Sequence, residues 1–173
     1  MLEQKIIVFD GAMGTMIQQQ GLGEDDFRGS SFLDHPSPLK GNNDLLSITC
    51  PDVIEKIHLE FLESGANIIG TNTFNANGIS QADYKLETSV VDINRAAVEI
   101  ARKAVEKYQS GKSVEEIQSD HPIFVAGSIG PTNRTCSMSP DVNNPAYRAV
   151  TFDQIAEAYR EQAVALIESG VDI

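Results

Sequence analysis

Tryptophan is missing from the 173-residue chain, and cysteine occurs twice, at Cys50 and Cys136. Two cysteines far apart suggest no disulfide framework and favour a reducing, cytoplasmic setting. Basic residues are scarce: 13 Lys+Arg stand against 25 Asp+Glu, a formal net charge of −12. That balance argues against nucleic acid as a partner, because affinity there comes largely from cations that neutralise phosphates. Long apolar runs are also lacking. A membrane span needs roughly 20 consecutive apolar residues, whereas the run Ile6-Ile7-Val8-Phe9 stops at Asp10. Met1-Leu2-Glu3-Gln4-Lys5 does not lead into the apolar stretch of a secretory signal. The length suits one domain with a real core. It falls short of a complete eight-unit α/β barrel, which typically takes ~250 residues.

What the chain has is an alternation of strand and helix signals. Lys5–Phe9 is a short β-branched run of the kind buried on both faces of a parallel sheet, and Ile68-Ile69 and Ile123–Ala126 repeat it. Pro51 suits a first helical position, Ile54, Ile57, Phe61 and Leu62 keep an apolar stripe, and Gly65 suits a left-handed cap. A second helix is predicted from about Ser89 to Tyr108, with Ser89 and Asp92 at capping-box spacing and Val90, Ala97, Ala101 and Ala104 on one face. A third starts at Thr151, where Gln154 completes a capping box; its predicted stripe is Ile155, Tyr159, Ala163, Leu166 and Ile167, closed by Gly170. The segment Leu62-Glu63-Ser64-Gly65-Ala66-Asn67-Ile68 has an echo in Ile167-Glu168-Ser169-Gly170-Val171-Asp172-Ile173. The echo marks either a reused helix-to-strand joint or merely a shared cap. Repeated βα units, with a fourth strand starting at Val171, read as the N-terminal half of a (β/α)8 TIM-type barrel over residues 1–173. A flavodoxin-like open sheet is the competing architecture.

In parallel α/β folds the ligand lies beyond the carboxyl ends of the strands. The first such loop, Asp10-Gly11-Ala12-Met13-Gly14-Thr15, offers a carboxylate followed by small residues with accessible amides. It can grip both ends of an amino acid, ammonium on Asp10 and carboxylate on main-chain N–H groups. Asp10 as a plain helix N-cap is the alternative. The second loop, Gly70–Asn77, supplies neutral hydroxyl and amide groups, or else a set of Asx and Ser/Thr turns. The third begins at Gly127-Ser128 and runs past Gly130-Pro131-Thr132-Asn133-Arg134 to Pro145. It and the stretch from Gly21 to Asn43 are longer than connectors need to be. Cys50, Cys136, His35, His58 and His121 show no zinc-site spacing. His58 reads as a surface or core filler.

Several of these blocks carry a resemblance. Phe9-Asp10-Gly11-Ala12-Met13-Gly14-Thr15-Met16-Ile17-Gln18, Asp26-Phe27-Arg28-Gly29 and Leu39-Lys40-Gly41-Asn42-Asn43-Asp44-Leu45-Leu46 are similar to the homocysteine S-methyltransferase family. Thr71-Asn72-Thr73-Phe74-Asn75, Gly130–Thr135 and Ser139-Pro140-Asp141-Val142-Asn143 continue the match in order. The third and fifth blocks resemble in particular the homocysteine-binding module of cobalamin-dependent methionine synthase.

The resemblance implies a (β/α) barrel in which zinc holds the sulfur of homocysteine. A free thiol titrates near ~8.5 and is mostly protonated at neutral pH; coordination to zinc keeps it as thiolate. In the cobalamin-dependent branch the methyl group comes from cobalt. Heterolysis leaves cob(I)alamin, which a folate-binding domain remethylates from methyltetrahydrofolate. Other branches use betaine or S-methylmethionine, and a non-catalytic half-barrel binding module is a further alternative.

By the same resemblance Asp10 stands near the substrate amino group, the backbone of Gly11 and Ala12 receives its carboxylate, and Asn72 and Ser128 lie at matching strand ends. Neither Cys50 nor Cys136 matches a family zinc ligand. Those cysteines, and a glutamate on the fourth strand, are expected beyond Ile173, so zinc and cobalamin belong to an intact protein. Its partners would be the remaining barrel half and the folate- and cobalamin-binding domains, and the 173 residues alone would be inactive. Gly70 stands where relatives often carry a longer polar residue.

Overall fold

The computed structural model describes residues 6–110, 112–113 and 122–173; His121 lies outside them. Its helices are α1 (Met13–Gln19), α2 (Glu24–Arg28), α3 (Leu46–Thr49), α4 (Pro51–Glu63), α5 (Gly78–Gln81), α6 (Val90–Gln109) and α7 (Phe152–Glu168). The strands are β1 (Ile68–Gly70) and β2 (Phe124–Ala126), paired in parallel with Ile69 opposite Val125. The architecture is mixed α/β. Among the described residues no helix is long and apolar enough to cross a membrane.

Two further segments flank this pair. Phe9 makes a parallel bridge to Ile68, and the Asp10 amide donates to the Ile68 carbonyl at 2.9 Å. On the far side the Gly127 amide donates to the Ile173 carbonyl at 2.8 Å. The order is therefore first, second, third and fourth segment, each beside its predecessor. A flavodoxin-like sheet instead places the first strand between the second and third, so that alternative is not met.

The echo in the sequence is a repeated joint. Gly65 and Gly170 both end their helices at positive φ, 96° and 93°, where a residue without Cβ carries little penalty. Two residues on, Asn67 donates its amide to the Val8 carbonyl at 2.8 Å while its Oδ1 accepts the Val8 amide at 3.0 Å. Asp172 does the same for Val125: its amide donates to the carbonyl at 2.8 Å and its Oδ2 accepts the amide at 2.8 Å. One side chain thus stands in for a missing rung at the start of each strand.

Some expectations are corrected. The first strand was expected to be buried on both faces, yet Ile6, Val8 and Phe9 are 88%, 49% and 57% exposed. Only one neighbouring strand covers it among the described residues. Ser89 makes no capping bond to α6, because a 3₁₀ turn over Glu87–Ser89 leaves it at φ −97°, ψ 0° rather than extended. At α7 the Thr151–Gln154 box forms in both directions, at 3.2 and 2.9 Å. Ile167, however, is 69% exposed, and the buried line runs through Ala158, Gln162, Ala165 and Leu166. Gln162 takes a core position because its amide nitrogen donates to the Thr73 carbonyl at 2.7 Å.

The core lies between α4, α6 and the sheet. Ile54, Ile57, Leu62, Ile69, Ala97, Ala101 and Val125 are all fully buried. Glu55 crosses from α4 to meet Lys103 and Lys107 of α6 at 2.6 and 2.7 Å. One group in this layer is costly. His58 is fully buried and neither ring nitrogen has a hydrogen-bond partner among the described residues. Burial pushes its pKa from 6.5 down to about 4. Between pH 6.5 and 4 the unfolded chain takes up a proton that the folded chain refuses, so stability is lost as pH falls through that window, by about 3 kcal/mol in full. His58→Leu is expected to flatten this dependence, read as urea midpoints at pH 7 and pH 4.5.

Candidate active site

The three strand-end loops close around one cleft. Its cavity of about 330 Å³ is lined by residues 9–14, 43–44, 70–75 and Ser128. All five residues singled out in the sequence, Asp10, Gly11, Ala12, Asn72 and Ser128, stand on its wall.

Asp10 ends the first strand and is only partly exposed. It does not cap α1, whose N-cap is Ala12. Its Oδ2 accepts the Gly70 amide at 2.8 Å, which joins the first strand end to the second. Burial raises the carboxyl pKa to about 6, and the Gly70 hydrogen bond offsets part of that rise. Gly11 and Ala12 are exposed. Their amides find no acceptor among the described residues, and Gly14 continues the wall into α1.

Asn72 and Ser128 are held rather than free. Asn72 is 6% exposed and donates to the Asn43 carbonyl at 2.7 Å and to Ser47 Oγ at 3.2 Å. The Ser128 amide donates to Thr71 Oγ1 at 3.0 Å, and its carbonyl accepts from Thr73 Oγ1 at 2.8 Å. The Asx-turn alternative for this loop holds at one position: Asn77 Oδ1 accepts the Ser80 amide at 2.9 Å and caps α5.

Sequence reasoning passed over Asn43, Asp44 and Phe74 as wall residues. Asp44 is 3% exposed, and burial raises its pKa to about 6. The only signal for it was its place inside the Leu39–Leu46 block. A long-range clamp delivers this segment. Arg28 donates to the carbonyls of Phe32, Leu33, His35 and Ser37 at 2.8 to 3.3 Å and pairs with Glu24 at 2.8 Å. Glu24 in turn accepts the amides of Leu39 and Lys40. One ion pair thereby organises the chain between α2 and Asn43, with charge-assisted bonds replacing secondary structure.

A zinc ion fits poorly here. Among the described residues no three His, Cys, Asp or Glu side chains gather to hold a metal. Cys50 donates to the Asp26 carbonyl at the start of α4, and Cys136 lies on the third loop.

The fold is thus a parallel α/β arrangement with a small cleft at its strand ends, lined by the Asp10 and Asp44 carboxyls and by unengaged main-chain amides. The sequence matches the family described as homocysteine S-methyltransferase over residues 7–173, and the chain belongs to that family. Three solved structures of the homocysteine methyltransferase MmuM from Escherichia coli share its fold. The oxidized form matches at TM-score 0.70 and 22% identity, covering 100% of this chain and 53% of that one. The metallated form gives 0.70, 22%, 99% and 54%, and the apo form 0.63, 22%, 100% and 49%. The chain therefore spans about half the length of these proteins.

The wall also depends on Gly130. Its amide donates to the Phe74 carbonyl at 2.9 Å, and a Cβ there would sit 2.5 Å from that oxygen and 2.6 Å from the Phe74 ring. Gly130→Ala must push the two loops apart, so a loss of about 1–3 kcal/mol is expected, read from denaturant midpoints.

Proposed function

We propose that these residues form the N-terminal, substrate-binding half of a (β/α)8 barrel that methylates homocysteine to methionine. The support is family membership, the sequential parallel order of the strand segments, and the half-length match to MmuM. The observation that carries the substrate assignment is the cleft itself, where the Asp10 carboxylate and the idle amides of Gly11 and Ala12 share one wall.

In this reading the ionised Asp10 accepts the substrate ammonium while Gly70 holds the carboxylate group in place. The amides of Gly11 and Ala12 receive the substrate carboxylate. Asn72 and Ser128 shape the wall, and Phe74, 54% exposed at the rim, offers apolar surface to the methylenes. The work of these residues is binding and orientation.

Zinc, when bound by residues elsewhere in the protein, would supply a sulfur held as thiolate. The metallated state of MmuM supports a metal in the family. The Lys40-Gly41-Asn42-Asn43-Asp44-Leu45-Leu46 and Gly130–Thr135 blocks favour methylcobalamin, recharged from methyltetrahydrofolate on a further domain, as the methyl source. A full-length enzyme assayed with homocysteine and each of methylcobalamin, betaine and S-methylmethionine decides the donor. Failure with all three would end the reading.

Asp10 also sets a pH dependence. A carboxyl with a pKa of about 6 is protonated below that value, so homocysteine affinity is expected to fall about tenfold per unit below pH 6. Asp10→Asn should remove that slope and weaken binding about 10- to 100-fold, the loss of one charge-assisted hydrogen bond. Both are read from homocysteine KM between pH 5 and 8.

A further inference from the structure

The loop from Thr71 to Asn75, which follows β1, carries no regular structure, yet it forms most of one wall of the cleft. Its beginning is fixed twice: Gly70 donates to Asp10, and Thr71 donates to the Ala126 carbonyl at 2.9 Å. Its outer end is fixed from a different element. The turn over Asn43–Leu45 packs along the loop, with the Asn43 carbonyl and Ser47 Oγ taking the Asn72 amide. One step further along, Asp44 Oδ1 accepts the Asn75 amide at 2.9 Å. Beyond that point Gln81 donates to the Asn75 carbonyl at 3.1 Å and Asn94 to the Ala76 carbonyl at 2.8 Å.

Asp44 is the only ionisable member of this outer set, and at 3% exposure it is an expensive residue to keep there. No lysine, arginine or histidine lines the cleft among the described residues. Its carboxylate is therefore retained without a cationic partner on that wall. The hydrogen bond it accepts sits directly after Phe74, whose backbone also contacts Gly130. Releasing the Asn75 amide would remove one anchor of the stretch that carries Asn72 and Phe74, the others being Asn43, Ser47 and Gly130.

We propose that Asp44 is a positioning residue of the cleft: by holding the Asn75 amide it fixes where Asn72 and Phe74 stand against the substrate. Its role is to act through the loop and not to touch the ammonium, which falls to Asp10. The inference rests on the reading of this cleft as the homocysteine site.

The test compares Asp44→Ala, Asp44→Asn and Asp10→Asn in the full-length protein, by steady-state kinetics in homocysteine and by hydrogen exchange of the Asn75 amide. Asn keeps an oxygen that accepts the Asn75 amide, whereas Ala does not. Asp44→Ala is expected to raise KM for homocysteine about tenfold with kcat within about threefold. Asp44→Asn should return KM to within about threefold of the parent. The Asn75 amide should exchange at least about tenfold faster in the Ala variant only.

Equal losses in Asn and Ala would mean that the charge itself serves the substrate and would overturn the proposal. So would an Ala variant with a lowered melting temperature but an unchanged KM. If Asp10→Asn leaves KM unmoved, or no donor supports methyl transfer, the homocysteine reading fails by itself. The exchange rate of the Asn75 amide still decides whether Asp44 holds the loop.

Discussion

The hydrogen bond from the Gly70 amide to the Asp10 carboxylate couples two things that other folds keep apart. It lies at the end of the first strand, where parallel pairing with β1 stops, and both of its residues also line the cleft. Moving Asp10 would unpair a strand end, and shifting the strands would move the carboxylate. A parallel sheet brings successive strand ends to one edge, so the side chain that finishes one strand can reach the first amide of the next loop. The cleft is built at the seam between neighbouring units and inherits the rigidity of the sheet. That is the sort of support a binding constellation needs to keep its geometry.

The repeated joint behind each strand start shows the same economy in two chemical versions. Asn67 and Asp172 hold equivalent places and grip Val8 and Val125 in the same way. Asn67 is 4% exposed, and a neutral amide avoids the cost of a buried charge there. Asp172 is more exposed and faces Arg102, whose guanidinium meets both carboxylate oxygens and the Gly170 carbonyl. The arginine holds the Asp172 carboxyl below the usual carboxylate range. Solvent access and a partner decide which version each copy uses.

Local signals carried much of this into the sequence. Pro51, the Thr151–Gln154 box and the glycines at 65 and 170 are legible because a cap depends on a few adjacent residues. The strands β1 and β2 lie within a residue of their expected places, the first segment pairs only at Phe9 among the described residues, and Asp10 reached the cleft wall by the rule that ligands gather beyond strand ends. Burial across elements was not legible. Nothing in the spacing of α7 announces that Gln162 faces inward and Ile167 outward, since the cause is the Thr73 carbonyl on a loop far away in the chain. The same holds for Asp44, an ordinary acidic residue in sequence that the Arg28–Glu24 clamp helps bring to the wall. Where the partner is distant, periodicity has no means of naming it.

The charge arrangement of the cleft gives the proposed substrate its orientation. An amino acid presents an ammonium and a carboxylate on one carbon, and a site must distinguish them without neutralising itself. A lysine or arginine beside Asp10 would bind the substrate carboxylate well, but it would also pair with Asp10 and compete with the ammonium. Main-chain amides at Gly11 and Ala12 avoid that conflict, because they offer partial positive charge and no net charge. Asp10 then stays under-compensated, and burial leaves its carboxyl easily protonated, with a pKa of about 6. The arriving ammonium is the cation that the site lacks, so binding and ionisation of Asp10 reinforce one another. Under that proposal the Asp10 carboxylate and the bare amides of this wall would select for the amino end of the ligand through what the site withholds as much as through what it supplies.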